Sequence, residues 1–162
     1  MSQWNAGDEL TADNLNKNRA FPSKVRAHLS AYQDLPELTD TFVEFDSEDF
    51  DLGSEFDTAT HKFIAGKDGY YSIRGSIGID KGSVDVGKFT VNIIKNGGLA
   101  TSNFFITIPE GSYLYYGSIL FMDTVSLVIG DTIEIQIYAY NSSESILPGA
   151  GSYLEISRVY ET

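Results

Sequence analysis

The chain has 162 residues, with 23 Asp and Glu against 11 Lys and Arg for a formal charge of -12, and it contains no Cys. That charge argues against a duplex nucleic-acid partner, whose binding rests on Lys and Arg neutralising phosphates; the lack of Cys removes disulfides, thiolate zinc sites and a cysteine nucleophile together. Ten Tyr, ten Phe and 15 Gly with only 4 Pro suit pleated strands joined by tight turns better than helices. The length fits one compact domain with a short appendage. The opening MSQWNAGDEL has no basic n-region followed by an apolar core, and no apolar run is long enough to span a bilayer. A soluble chain without membrane insertion is expected.

Residues 1–21 read as a leader separate from a head at 22–162. Thr11 can cap a helix of about two turns through residue 18, with Asp13 near its positive end and Lys17 and Arg19 near its negative end. So short a helix is not stable alone. Trp4, Leu10 and Leu15 give it a small apolar side to dock; either it packs on its own domain or is frayed, or it enters a partner's groove.

Residues 34–57 carry ten acids and no base. Leu35, Leu38, Phe42, Val43, Phe45, Phe50 and Phe56 lie between them, so the stretch reads as irregular edge strands with acidic outward positions rather than a solvated tail. Asp46, Glu48, Asp49 and Asp51 have a superficial calcium-loop look, but Gly53 is misplaced and no bidentate Glu follows.

From residue 62 onward the period is two. In 69–80, Tyr71, Ile73, Ile77 and Ile79 point one way and Ser72, Arg74 and Ser76 the other. In 88–95, Phe89, Val91 and Ile93 share a face, and Asn96-Gly97-Gly98 supplies a hairpin turn. Gly82 to Lys88 has phosphate-loop spacing, but Phe89 stands where a Ser or Thr is needed and a strand follows, so it reads as a connecting loop. Between 113 and 122, Tyr113, Leu114, Tyr115, Tyr116, Ile119, Leu120, Phe121 and Met122 put apolar groups on both faces of a strand. A strand apolar on both faces is buried on both, and a symmetric homo-oligomer is the economical source of the second burial. Val125, Leu127 and Ile129 end at Gly130-Asp131; Ile133, Ile135 and Ile137 then alternate with Glu134, Gln136 and Tyr138. The last strand is 152–160. Eight to ten short strands with no helical period between them predict an all-β sandwich or jelly roll.

The two imidazoles, His28 and His61, come with no nucleophile elbow and read as exposed or satisfied side chains. No catalytic residue and no cofactor is expected. Tyr113, Tyr115, Tyr116, Tyr138 and Tyr140, with Phe121, are the candidate seam or recognition set, because Tyr offers a rigid amphipathic surface at low entropic cost.

Phe45, Asp51, Phe56, Phe63, Gly69 and Tyr71 fall at separations that resemble the signature of the globular head of complement component 1q, which shares its jelly roll with tumour necrosis factor. The pattern departs at its end, where Ile73 and Gly75 stand for usual aromatics. Phe89 through Gly97, Val125 through Ile133 and Gly151 through Ile156 continue in the family's order, so the resemblance covers roughly residues 22–160. It implies a ten-strand-type jelly roll, a non-enzymatic head and a homotrimer whose aromatic-rich faces meet along a threefold axis; heads of this kind sometimes hold calcium near the apex, with ligands not nameable here. The leader, from Trp4 through Asn16, resembles the opening of many tailed-phage structural and fibre proteins. Together the two imply a small protein of the virion surface, with Trp4, Leu10 and Leu15 anchoring it to other virion proteins and the head meeting a host-surface glycan or protein. A capsid decoration or vertex protein, and less readily a polysaccharide-degrading enzyme, are the alternatives.

Overall fold

The computed structural model describes residues 23–80, 87–100, 104–108, 116–140 and 144–160. The leader reading, the loop at 81–86 and Tyr113, Leu114 and Tyr115 lie outside the described residues, as does the side chain of Tyr116.

Among the described residues fourteen strand segments follow one another: β1 (Lys24–His28), β2 (Gln33–Leu35), β3 (Asp40–Phe42), β4 (Ser47–Asp51), β5 (Phe56–Asp57), β6 (Lys62–Ile64), β7 (Gly69–Asp80), β8 (Gly87–Lys95), β9 (Gly98–Leu99), β10 (Phe104–Ile108), β11 (Tyr116–Leu127), β12 (Thr132–Ala139), β13 (Glu144–Ile146) and β14 (Tyr153–Tyr160). A short 3-10 turn, Gly149–Gly151, precedes the last strand.

They form two antiparallel sheets. In the first, β4, β1, β14, β7 and β11 lie side by side, while β13 and β2 continue beside the far end of β7. In the second, β10, β8 and β12 are neighbours, β9 folds back on β8, and β3, β6 and β5 complete the other side of β12. This is the predicted all-β jelly roll.

Alternation places the core. Val25, Ile73, Ile77 and Ile156 of the first sheet meet Phe63, Phe89, Val91, Ile93, Ile135 and Ile137 of the second, all essentially without solvent contact. Of the signature residues, Phe45, Phe56, Phe63 and Tyr71 are buried, and the Phe63 and Tyr71 rings meet edge to face at 5.5 Å. Asp51 clamps its loop, accepting from the Gly53 N–H at 3.0 Å and the Phe56 N–H at 2.8 Å. Gly75, where the family pattern has an aromatic, leaves room for Phe121: a Cβ at Gly75 would stand 2.5 Å from that ring and 2.2 Å from the Tyr153 carbonyl oxygen. A ring from the neighbouring strand thus occupies the space that the signature's own ring would fill. Asn96 and Gly97 have φ of 51° and 77°, the pair of positive values that a two-residue hairpin turn requires.

One expectation changes. The run read at 113–122, from Tyr116 onward, and the run read at 125–129 are one strand, β11, that ends at Leu127, and Ile129 is in the turn beyond it, 68% exposed.

Candidate interaction face

Residues directly opposite on neighbouring strands share a face, so the register of the first sheet writes out its outer surface. One row runs Met122, Arg74, Glu155, Arg26, Phe50 across five strands. The next runs Leu120, Ser76, Tyr153, His28, Ser47. At the β11 edge of both rows stand large apolar side chains open to water, Leu120 at 72% exposure and Met122 at 67%. The alternate residues Ile119 and Phe121 are buried between the sheets. The stretch is therefore apolar on both faces as read, and only its inner face is covered within one chain.

The middle of the face is charged. Glu155, with its side chain 9% exposed, lies 2.6 Å from the Arg74 guanidinium, 3.6 Å from Lys24 Nζ and 4.0 Å from Arg26. Burial pushes its carboxyl up, but the Arg74 hydrogen bond and the charges of Arg74, Lys24 and Arg26 outweigh that and hold it below the ordinary glutamate range. Asp49 faces Arg26 Nε at 3.0 Å and His28 Nδ1 at 3.2 Å. The Arg26 guanidinium is stacked 4.3 Å over the Tyr153 ring and Lys24 lies 5.1 Å over Phe50. Three cations and two carboxylates thus meet in the middle of this face. A small cleft of about 140 Å³ opens there between Arg26, His28, Asp49 and Tyr153.

A second, open cleft of about 660 Å³ lies between β2 and β3, lined by Tyr32, Asp34, Asp40, Phe42, Glu44 and Asp46 among others. The Ser30 hydroxyl donates to Asp46 at 2.6 Å and the Ser30 N–H at 2.7 Å, and these bonds hold that carboxyl low against a smaller opposing effect of burial. Three of the calcium-like quartet are engaged separately: Asp46 by Ser30, Asp49 by Arg26 and His28, and Asp51 by backbone N–H groups. Among the described residues no group of three or more His, Asp or Glu is placed to hold a metal ion.

The candidate seam set divides. Phe121 is a core residue, packed 6.2 Å from the Phe104 ring, so it is not available for the seam. Tyr138 and Tyr140 belong to the other sheet, ring to ring at 4.6 Å, with Lys88 4.7 Å over Tyr140. They do not share a face with Leu120 and Met122. His61 donates from Nδ1 to the Phe45 carbonyl at 3.1 Å, whereas His28 Nδ1, 3.2 Å from Asp49, makes no hydrogen bond of good geometry. The ladder of Lys24, Arg26, Arg74, Asp49 and Glu155 escaped the sequence reading. Its only signal was that each residue occupies an outward position of its strand, which does not say which strands are neighbours.

No family model matches the chain, and no curated protein does. Solved structures do match in fold. A zebrafish complement 1qA globular domain superposes with a TM-score of 0.64 at 11% identity, covering 87% of this chain and 99% of that one. Murine APRIL gives 0.63 at 13% identity over 85% of this chain and 99% of that one, and the Eiger TNF of S. frugiperda 0.56 at 9% over 87% and 94%. The chain is an all-β jelly roll of the complement 1q and tumour necrosis factor type.

Proposed function

We propose that the protein is a non-enzymatic, homotrimeric head of a phage virion surface protein, tied to the particle by residues 1–21 and directed at the host surface. The observation that carries the trimer is the pair Leu120 and Met122, open to water on a strand whose other face is fully buried. Two long apolar side chains side by side on a sheet face are covered economically by another copy of the same chain. Beside them the paired charges of Arg74, Glu155, Lys24 and Arg26 set the orientation in which a second copy can approach. The phage setting rests on the resemblance of the leader, Trp4 through Asn16, and recognition is the task that suits a projecting head of the complement 1q type.

Light scattering of the purified chain at micromolar concentration tests the assembly: three times 17.8 kDa is expected, and a clean monomer refutes it. Competition between the isolated protein and phage for adsorption to host cells tests recognition. Adsorption that is unaffected, with the protein found on the shell of imaged particles, moves the role to capsid decoration.

A further inference from the structure

One pole of the sandwich exposes several large apolar side chains, and it is the pole at which Ser23 begins the described head. Leu52, Ile64, Tyr70, Val128, Ile129 and Tyr160 are all exposed there, Ile129 at 68% and Tyr160 at 71%. Backbone pairing brings them together. Tyr70 pairs with Tyr160 on one side and Ser126 on the other, the Ile129 N–H donates to Asp68 at 2.8 Å, the Gly130 N–H donates to the Ala65 carbonyl at 2.8 Å beside Ile64, and the Leu52 N–H donates to the Lys24 carbonyl at 3.0 Å. Tyr70 and Tyr160, opposite each other on neighbouring strands, and Ile129 in the turn after β11 form its centre, and exposed apolar side chains gathered at one end of a fold mark a contact site.

The chain enters this pole from a fixed point. The Ser23 hydroxyl donates to the buried Glu55 carboxylate, whose other oxygen accepts from the Gly66 N–H at 2.9 Å, and the Ser23 carbonyl accepts from the Arg158 N–H at 2.9 Å. From β1 to β11 is three strand steps, about 14 Å. Leu15 is eight residues before Ser23, a reach of up to about 27 Å for extended chain. Leu15, Leu10 and Trp4 can therefore be laid across the pole without strain in the connection.

We propose that in the free protein the leader covers this pole, with Trp4, Leu10 and Leu15 packed on the patch around Tyr70, Ile129 and Tyr160. Two apolar surfaces that would each face water are joined by a short tether, which makes their contact intramolecular and raises its effective concentration. The inference concerns the free protein and stands apart from the leader's role in a particle.

Trp4 is the single Trp of the chain, so its emission reports on the leader alone. In the full chain a blue-shifted emission protected from acrylamide is expected, and the double variant Ile129→Ser/Tyr160→Ser should shift it to that of a water-exposed indole with several-fold faster quenching, at unchanged far-ultraviolet circular dichroism. The reciprocal experiment alters only the leader: in Trp4→Ser/Leu10→Ser/Leu15→Ser protein the amides of 127–130 and 158–160 should exchange at least several-fold faster than in the unmodified chain. A water-exposed Trp4 in the unmodified protein overturns the proposal. So does a buried Trp4 that ignores the Ile129 and Tyr160 changes, or pole amides equally protected in the leader variant, which would mean that another copy or molecule covers the patch.

Discussion

Asp131 shows how much one side chain can tie together. It is held at 2.8 Å by Lys95 Nζ, receives a hydrogen bond from the Asn96 amide at 2.7 Å and another from the Val128 N–H at 2.9 Å. Asn96 Oδ1 in turn accepts from the Thr132 N–H at 2.8 Å, so the β8–β9 hairpin and the β11–β12 turn form one unit. The Lys95 bond, then those from Asn96 and Val128, outweigh burial and pull the Asp131 carboxyl down to about 2. A carboxyl lowered on folding adds stability that is fully present above its ordinary value of 3.8 and is lost as pH falls from there through about 2. Asp131→Asn should cost about 1–2 kcal/mol at neutral pH and flatten the acid limb, read from thermal midpoints between pH 7 and 2. Gly75 makes the opposite demand. Its Cβ would press on a backbone oxygen as well as on Phe121, so Gly75→Ala should lower stability by about 1–3 kcal/mol in chemical denaturation, although alanine is ordinarily the easier residue in a strand.

At the scale of elements, β11 carries the most consequence. It pairs with β7 along its whole length, Tyr116 with Asp80 through Leu127 with Gly69, and has Ile119, Phe121, Val125 and Leu127 turned inward. Replacing the outward pair, Leu120→Lys/Met122→Lys, leaves that inner face intact. The double variant should keep the circular dichroism of the unmodified chain and scatter light as a monomer, and an intact trimer would remove β11 from the interface. Glu155 is the element-level keystone of the charge ladder, since its two neighbouring strands, β1 and β7, bring three cations to it. Glu155→Gln should destabilise the head by about 2 kcal/mol, measured by urea unfolding, because Arg74, Lys24 and Arg26 then face one another with their shared carboxylate gone.

For the molecule as a whole, the net charge of -12 is unevenly spread over the described residues. Asp34, Asp40, Glu44 and Asp46 line the cleft by β2 and β3, while cations gather on the outer face of the first sheet. A heterologous threefold contact joins two different surfaces of the same chain, and this polarity gives such a contact a preferred direction. Deleting residues 1–20 should leave the head folded and trimeric but absent from particles, measured by circular dichroism, light scattering and the composition of assembled virions; unchanged incorporation would refute the anchor.

The sequence by itself determined the strands and their inward faces, because a period of two reports which side of a pleat is apolar without reference to any neighbour. Tyr71, Ile73, Phe89, Val91, Ile133 and Ile135 were legible on that ground, and the hairpin at Asn96-Gly97 was legible because few residues accept positive φ. Only the tertiary structure decided what lies beside what. Met122, Arg74, Glu155, Arg26 and Phe50 form one row through pairings between segments as far apart as residues 26 and 155, and no local pattern encodes such a register. For the same reason Phe121 moved from seam to core: whether an aromatic on a two-faced strand points inward depends on the gap that Gly75 leaves across the sheet. The exposed pole at Tyr70, Ile129 and Tyr160 exists because a turn and two strand ends converge in space.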